Sequence, residues 1–143
     1  MMVSSIGESG EFEKLGIPLF ADAVPAGFPS PATDYCERKL DLNELCIQHP
    51  AATYFVRAQG DSMIEAGIFP GDVLVVDRSI SASHGDIVIA CVNGELMVKR
   101  LETAPKLRLV AMNNRHAPID VPVEAELEIF GVATNVIHNL RKS

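Results

Sequence analysis

From residue 53 onward, apolar positions come in short runs broken by turn residues. Thr53-Tyr54-Phe55-Val56-Arg57-Ala58 is β-branched and aromatic, and predicts a strand that ends at Gly60. Asp72 to Asp77 encloses Val73-Leu74-Val75-Val76, an unbroken run that predicts a second strand buried on both faces. Asp86 to Val92 predicts a third strand. Asn93-Gly94 predicts a hairpin turn, because both positions tolerate positive φ, and Glu95 to Leu101 then forms the fourth strand. Leu107 to Met112 and Leu127 to Val136 add two more. Met63 to Ile68 predicts a short helical turn stopped by Gly67 and Pro70-Gly71. Short strands at turn-marked intervals predict a mainly β, small barrel-like domain rather than βαβ units.

Before residue 53 the pattern weakens. Asp41 to Leu45 predicts one helical turn, and Ile17-Pro18-Leu19-Phe20 is the one apolar patch near the start. That patch suits docking in a groove or on a partner, or service as an edge strand of the core. From Val24 to Pro31 three prolines fix φ and favour extended or turn backbone, so this stretch reads as a linker. Glu8, Glu11, Glu13 and Asp22 face only Lys14 among the first 26 residues, and such a segment buries too little to fold alone. The expected organisation is a flexible N-terminal arm over residues 1–31 and a β-rich domain over 32–143.

Composition narrows the function classes. The 143 residues are 48% hydrophobic and 22% charged, which suits one core plus an arm. A net charge of −7 argues against sequence-independent binding to bare nucleic acid, where Lys and Arg neutralise phosphates. The first residues lack a basic stretch and an apolar core, and no run reaches the ~20 apolar residues of a membrane helix. The expected location is cytoplasmic, with no membrane partner. Cys36, Cys46 and Cys91 are odd in number and lack C-x-x-C spacing, so free thiols are expected. His49, His84, His116 and His138 lack metal-ligand spacing, and no metal or cofactor is expected.

Gly60-Asp61-Ser62-Met63 places a serine where a strand gives way to a turn, and Lys99 lies on the strand after the hairpin. A serine hydroxyl is a weak nucleophile unless a base takes its proton, and burial disfavours the charged form of a lysine. Lowering a lysine by ~3 units from ~10.4 takes about 4 kcal/mol of desolvation, within reach of a folded core. Lys99 could then act as general base to Ser62, with the backbone amides of Asp61 and Ser62 as oxyanion donors. Ala26-Gly27, a small residue before glycine in an extended segment, offers an unhindered peptide bond as substrate. The plain alternatives stay open: a turn serine, a lysine that snorkels to water, and a stiff proline spacer. A rival histidine mechanism would use His84 and Asp86, but Asp86 sits in a Ser-His-Gly-Asp turn that suits local backbone bonding.

Gly60-Asp61-Ser62-Met63, Gly71-Asp72, Ser83-His84-Gly85-Asp86-Ile87-Val88 and Val98-Lys99-Arg100-Leu101 together resemble the family of LexA-type self-cleaving repressors and UmuD-type subunits of error-prone DNA polymerase V. Pro18-Leu19-Phe20, Ala26-Gly27-Phe28-Pro29-Ser30-Pro31-Ala32, His49-Pro50 and Ala52-Thr53-Tyr54-Phe55 resemble the UmuD type and its plasmid-borne relatives. The resemblance spans roughly Ile17 to Val136. It implies a LexA/signal-peptidase-type β domain, Ser62 as nucleophile, Lys99 as base and Ala26-Gly27 as the self-cleaved bond. It further implies a homodimer and cleavage stimulated by the RecA filament on single-stranded DNA. The product would join a UmuC-type Y-family polymerase, without sequence-specific DNA binding of its own. The 26 residues before the bond are too few for a repressor's helix-turn-helix domain. Type I signal peptidases resemble the Gly-Asp-Ser-Met motif too, but they carry a membrane anchor. Pro25 departs from the expectation by removing a backbone donor beside the bond. Two other classes remain: a non-enzymatic dimeric polymerase adaptor and a general Ser/Lys protease.

Overall fold

The computed structural model describes residues 2–8, 16–20, 36–115, 119–120 and 127–141. They divide between two units, one of Met1–Gly10 with His49–Ser143 and one of Glu11–Gln48. The larger unit holds β1 (Met2–Glu8), then β4 (Thr53–Gln59), β5 (Val73–Asp77), β6 (Ile87–Val92), β7 (Glu95–Glu102), β8 (Arg108–Val110), β9 (Ile119–Asp120) and β10 (Leu127–Ile137). The smaller unit holds β2 (Ile17–Phe20), β3 (Cys36–Leu40) and the one-turn helix α1 (Leu42–Cys46).

In the larger unit the strands order as β1-β4-β5-β10-β6-β7-β8-β9, every described pairing being antiparallel. Met2 of β1 also pairs with Met97 of β7, so six strands close on themselves and β8-β9 extend outward. The mainly β, barrel-like expectation therefore holds. β5 is buried on both faces, as its apolar run requires. Asn93 at φ 49° and Gly94 at φ 83° form the hairpin that sets β7 against β6, pairing Val92 with Glu95 and Val88 with Lys99.

Two clusters fill the interior. Val56, Ala58, Met63, Ile68, Leu74, Val76, Ile89 and Val98 form one, and Val88, Ala90, Leu101, Leu109 and Val132 the other. Each large side chain so buried contributes about 1.5–3 kcal/mol relative to exposure. β7 serves both clusters because its side chains alternate, Val98 entering one and Leu101 the other. The long β10 crosses between β5 and β6 and shifts register between Ile129 and Gly131 and between Ala133 and Asn135.

Three strands were not foreseen. Met2–Glu8 lies inside the stretch expected as an arm, yet it pairs with β4 along six positions. Cys36–Leu40 pairs with Ile17–Phe20, so the apolar patch at residues 17–20 is a strand of a separate two-stranded sheet rather than an edge of the core. Ile119–Asp120 extends β8. Helix α1 falls where one turn was expected, its Asp41 cap accepting from Asn43 N at 2.9 Å.

Candidate active site

β4 and β5 are stitched together at the point where the chain turns. Ala58 N donates to Asp72 O at 2.8 Å and Gly71 N to Ala58 O at 2.9 Å. Gly60 then takes φ 84°, which only glycine adopts freely, and the chain turns inward. Met63 is fully buried and anchors the turn to the core. Its carbonyl accepts from Ala66 N and Ile68 N across the 3₁₀ turn Ile64–Ala66. The nucleophile candidate thus sits one residue from a fixed hydrophobic anchor. Ser62 is 3% exposed.

Lys99 comes from β7 and is 8% exposed. Its Nζ donates to Ser62 Oγ at 2.9 Å. No carboxylate among the described residues pairs with Lys99. The same two atoms can exchange roles when the amine is uncharged, the hydroxyl then donating to nitrogen, and that is the geometry a general base requires. Among the described residues no buried side-chain nitrogen or oxygen lacks a partner.

A second clamp holds the turn from the other side. Asn113, in the loop after β8, is 4% exposed and donates from Nδ2 to Asp61 O at 2.9 Å. Its Oδ1 accepts from Arg115 N at 3.1 Å. The adjacent Met112 donates its N–H to Met63 Sδ at 3.3 Å and accepts from Glu65 N at 2.7 Å. Because a trans peptide is planar, fixing the Asp61 carbonyl also fixes the Ser62 N–H, which points the opposite way. The Asn113 bond therefore orients one of the two amides expected to face an oxyanion.

The pattern of the Peptidase S24-like family matches residues 18–134. The chain belongs to that family. Protein ImpA of Escherichia coli is 53% identical over 125 residues, covering 87% of this chain and 86% of that protein. Protein SamA of Salmonella typhimurium is 51% identical over 126 residues, 88% of either chain. Protein MucA of Escherichia coli is 45% identical over 136 residues, 94% of this chain and 93% of that protein. With the motif order, these similarities identify the chain as a UmuD-type S24 protein, a self-cleaving protein of SOS mutagenesis.

Against this S24 framework the other candidates sort plainly. Ala26, Gly27, Pro25 and His116 lie outside the described residues. His84 Nδ1 accepts from Thr103 N at 2.9 Å, and Asp86 Oδ2 accepts from Ser83 N at 2.9 Å, the local backbone role foreseen for that turn. His49 pairs with Asp77 at 2.6 Å and His138 with Asp72 at 2.5 Å. Cys46 and Cys91 are free thiols. Among the described residues no group of three or more His, Cys, Asp or Glu could hold a metal, and no helix is long and apolar enough to cross a membrane.

Two framework carboxyls ionise unusually readily. Burial pushes Asp77 up, but hydrogen bonds from the Ser79 side chain, from His49 and from the Ser79 backbone outweigh it and hold the group below the usual carboxylate range. Arg108 and Arg100 flank Glu102 with hydrogen bonds and hold it low as well. Asn113 is the site residue that the sequence did not announce. An Asn-Asn pair after a strand reads as a turn, and its bond to Asp61 spans 52 positions.

Proposed function

We propose that this S24 protein cuts its own Ala26–Gly27 bond with Ser62 as nucleophile and Lys99 as general base. The observation that carries the proposal is the buried 2.9 Å contact between Ser62 Oγ and Lys99 Nζ. In the forward step the uncharged amine takes the hydroxyl proton while Oγ adds to the Ala26 carbonyl carbon. Negative charge then develops on the carbonyl oxygen, where the N–H groups of Asp61 and Ser62 stabilise it. Collapse expels the Gly27 amine, which takes the proton back from Lys99. Water then hydrolyses the Ala26 ester on Ser62, and the hydroxyl is restored.

The functional division places the cut inside the arm: residues 1–31 as the arm carrying the bond, residues 32–143 as the peptidase and dimerisation domain. The chain acts as a homodimer in the cytoplasm. RecA filaments on single-stranded DNA accelerate cleavage by favouring the bound pose of the tethered segment, without adding a catalytic group. The shortened dimer then serves a UmuC-type Y-family polymerase in translesion synthesis. Membership of the UmuD type supports this reading of the partners.

The test is the intact mass of the purified chain before and after incubation at alkaline pH or with activated RecA filaments. A product beginning at Gly27 is expected. Failure to shorten under either condition overturns the proposal. If Ser62→Ala and Lys99→Ala shorten as fast as the parent in damaged cells, the chain is instead a non-enzymatic polymerase adaptor. Multiple-turnover hydrolysis of unrelated peptides would make it a general protease.

A further inference from the structure

β1 pairs with two strands that lie far from it in sequence. Its backbone pairs with β4 from Met2 opposite Gln59 to Glu8 opposite Tyr54, with a register shift between Val3 and Ser5. At Met2 it also meets Met97 of β7. It therefore joins the strand that leads into Ser62 to the strand that carries Lys99. Among the described residues β1 alone closes that side of the six-stranded ring. It also lies on the N-terminal side of the proposed cut.

We propose that cleavage at Ala26–Gly27 opens a strand-acceptor site: the processed chain takes an extended segment of a partner polypeptide, antiparallel to β4, in the place β1 holds in the intact chain. The inference rests on the proposed cut and adds the surface and the kind of partner. Before the cut the tether holds β1 at an effective concentration near the millimolar range. After it, β1 belongs to a separate fragment of residues 1–26 held only by non-covalent strand pairing, β1 against β4 and the four-residue β2 against β3, and short strand pairings of this kind are marginal in water. Dilution to cellular concentrations then releases it. The exposed β4 edge presents unpaired N–H and C=O groups, which are a ready template for another strand.

The register specifies what that strand must carry. Val56 and Ala58 of β4 are fully buried, and the positions opposite them on β1 are Ile6 and Val3. Residues directly opposite in an antiparallel pair share a face, so the partner segment needs apolar residues at those two places. The slot is bounded by β4 along its length and by β7 at one end. A free extended segment enters such a slot, whereas the wall of a second barrel does not.

The experiment uses the full chain carrying Ser62→Ala, with a recognition sequence for a site-specific protease placed between Ala26 and Gly27. It is purified intact and then nicked by that protease, so the outcome does not depend on self-cleavage. The probe is a fluorescent peptide of residues Met1–Gly10, read by anisotropy, with hydrogen exchange of the β4 amides as the second measurement. The expected result has three parts. The N-terminal fragment dissociates on dilution to micromolar concentration, the β4 amides exchange faster, and the nicked chain binds the probe at least tenfold more tightly than the intact chain. An Ile6→Asp probe then binds at least tenfold more weakly. Retention of the fragment with β4 protection unchanged overturns the proposal, as does equal or absent probe binding by the two forms. A chain that passes this test yet never shortens itself would refute the cleavage reading and leave the acceptor site standing.

Discussion

Asn113 Nδ2 donates a 2.9 Å hydrogen bond to the carbonyl oxygen of Asp61, the residue before the candidate nucleophile. Replacing Asn113 with alanine removes that bond and leaves the Asp61 carbonyl a longer one from Ile64 N at 3.4 Å, so the Asp61–Ser62 peptide is held less firmly and self-cleavage should slow by about tenfold or more, short of the ~10²–10³ lost with an oxyanion donor itself. Asn113→Asp keeps the acceptor for Arg115 N and loses the donor, so it should be equally slow. Lost stability alone would not move the rate in this way: the unfolding free energy from urea titration should drop by only about 1–2 kcal/mol, and the pH profile of cleavage should keep its shape.

Ser62→Ala and Lys99→Ala should each abolish self-cleavage, and the double variant should be no slower than either alone, because groups that act as a unit are non-additive. Rates from intact mass over time check this. Far-ultraviolet circular dichroism should show all three folded.

Gly131→Ala should destabilise the domain by about 1–3 kcal/mol through overpacking. A Cβ there would lie 2.6 Å from Val76 Cγ1 and 3.1 Å from Asp77 O. Gly131 sits at a register shift of β10, where the neighbouring β5 backbone leaves no room to give way. Chemical denaturation of Gly131→Ala against the parent is the measurement.

Asp77 sets an acid-stability prediction. Its carboxyl is held below the ordinary value of 3.8, so its contribution to stability is fully present above that value and disappears as pH falls through the lower folded-state value. The urea midpoint of the parent should fall as pH drops below about 4. That fall should be shallower in Asp77→Asn, which has no proton to take up, even though the variant is weaker at neutral pH.

The strands from β4 to β8 and β10 were legible because apolar runs there are bracketed by Gly60, Gly71, Asn93-Gly94 and similar turn residues. β1 was not, since Ser4, Ser5 and Gly7 dilute its alternation and its partner lies some fifty positions away. In Cys36–Leu40 the charged Glu37, Arg38 and Lys39 hid a strand whose pairing is set by β2. At the site, Ser62 and Lys99 could be named as residue types suited to the chemistry, but their meeting depends on hairpin register and on the Met63 anchor. Asn113 left no local trace, since a side chain reaching a distant backbone carbonyl follows no period.

The two-residue turn at Asn93-Gly94 has a consequence beyond joining two strands. Pairing of Val88 with Lys99 counts outward from that turn, and side chains on a strand switch faces at every step. Inserting a single residue there, at the surface, would slide β7 by one place and swing the amine away from the alcohol it serves. Buried chemistry is thus hostage to the length of an exposed two-residue loop.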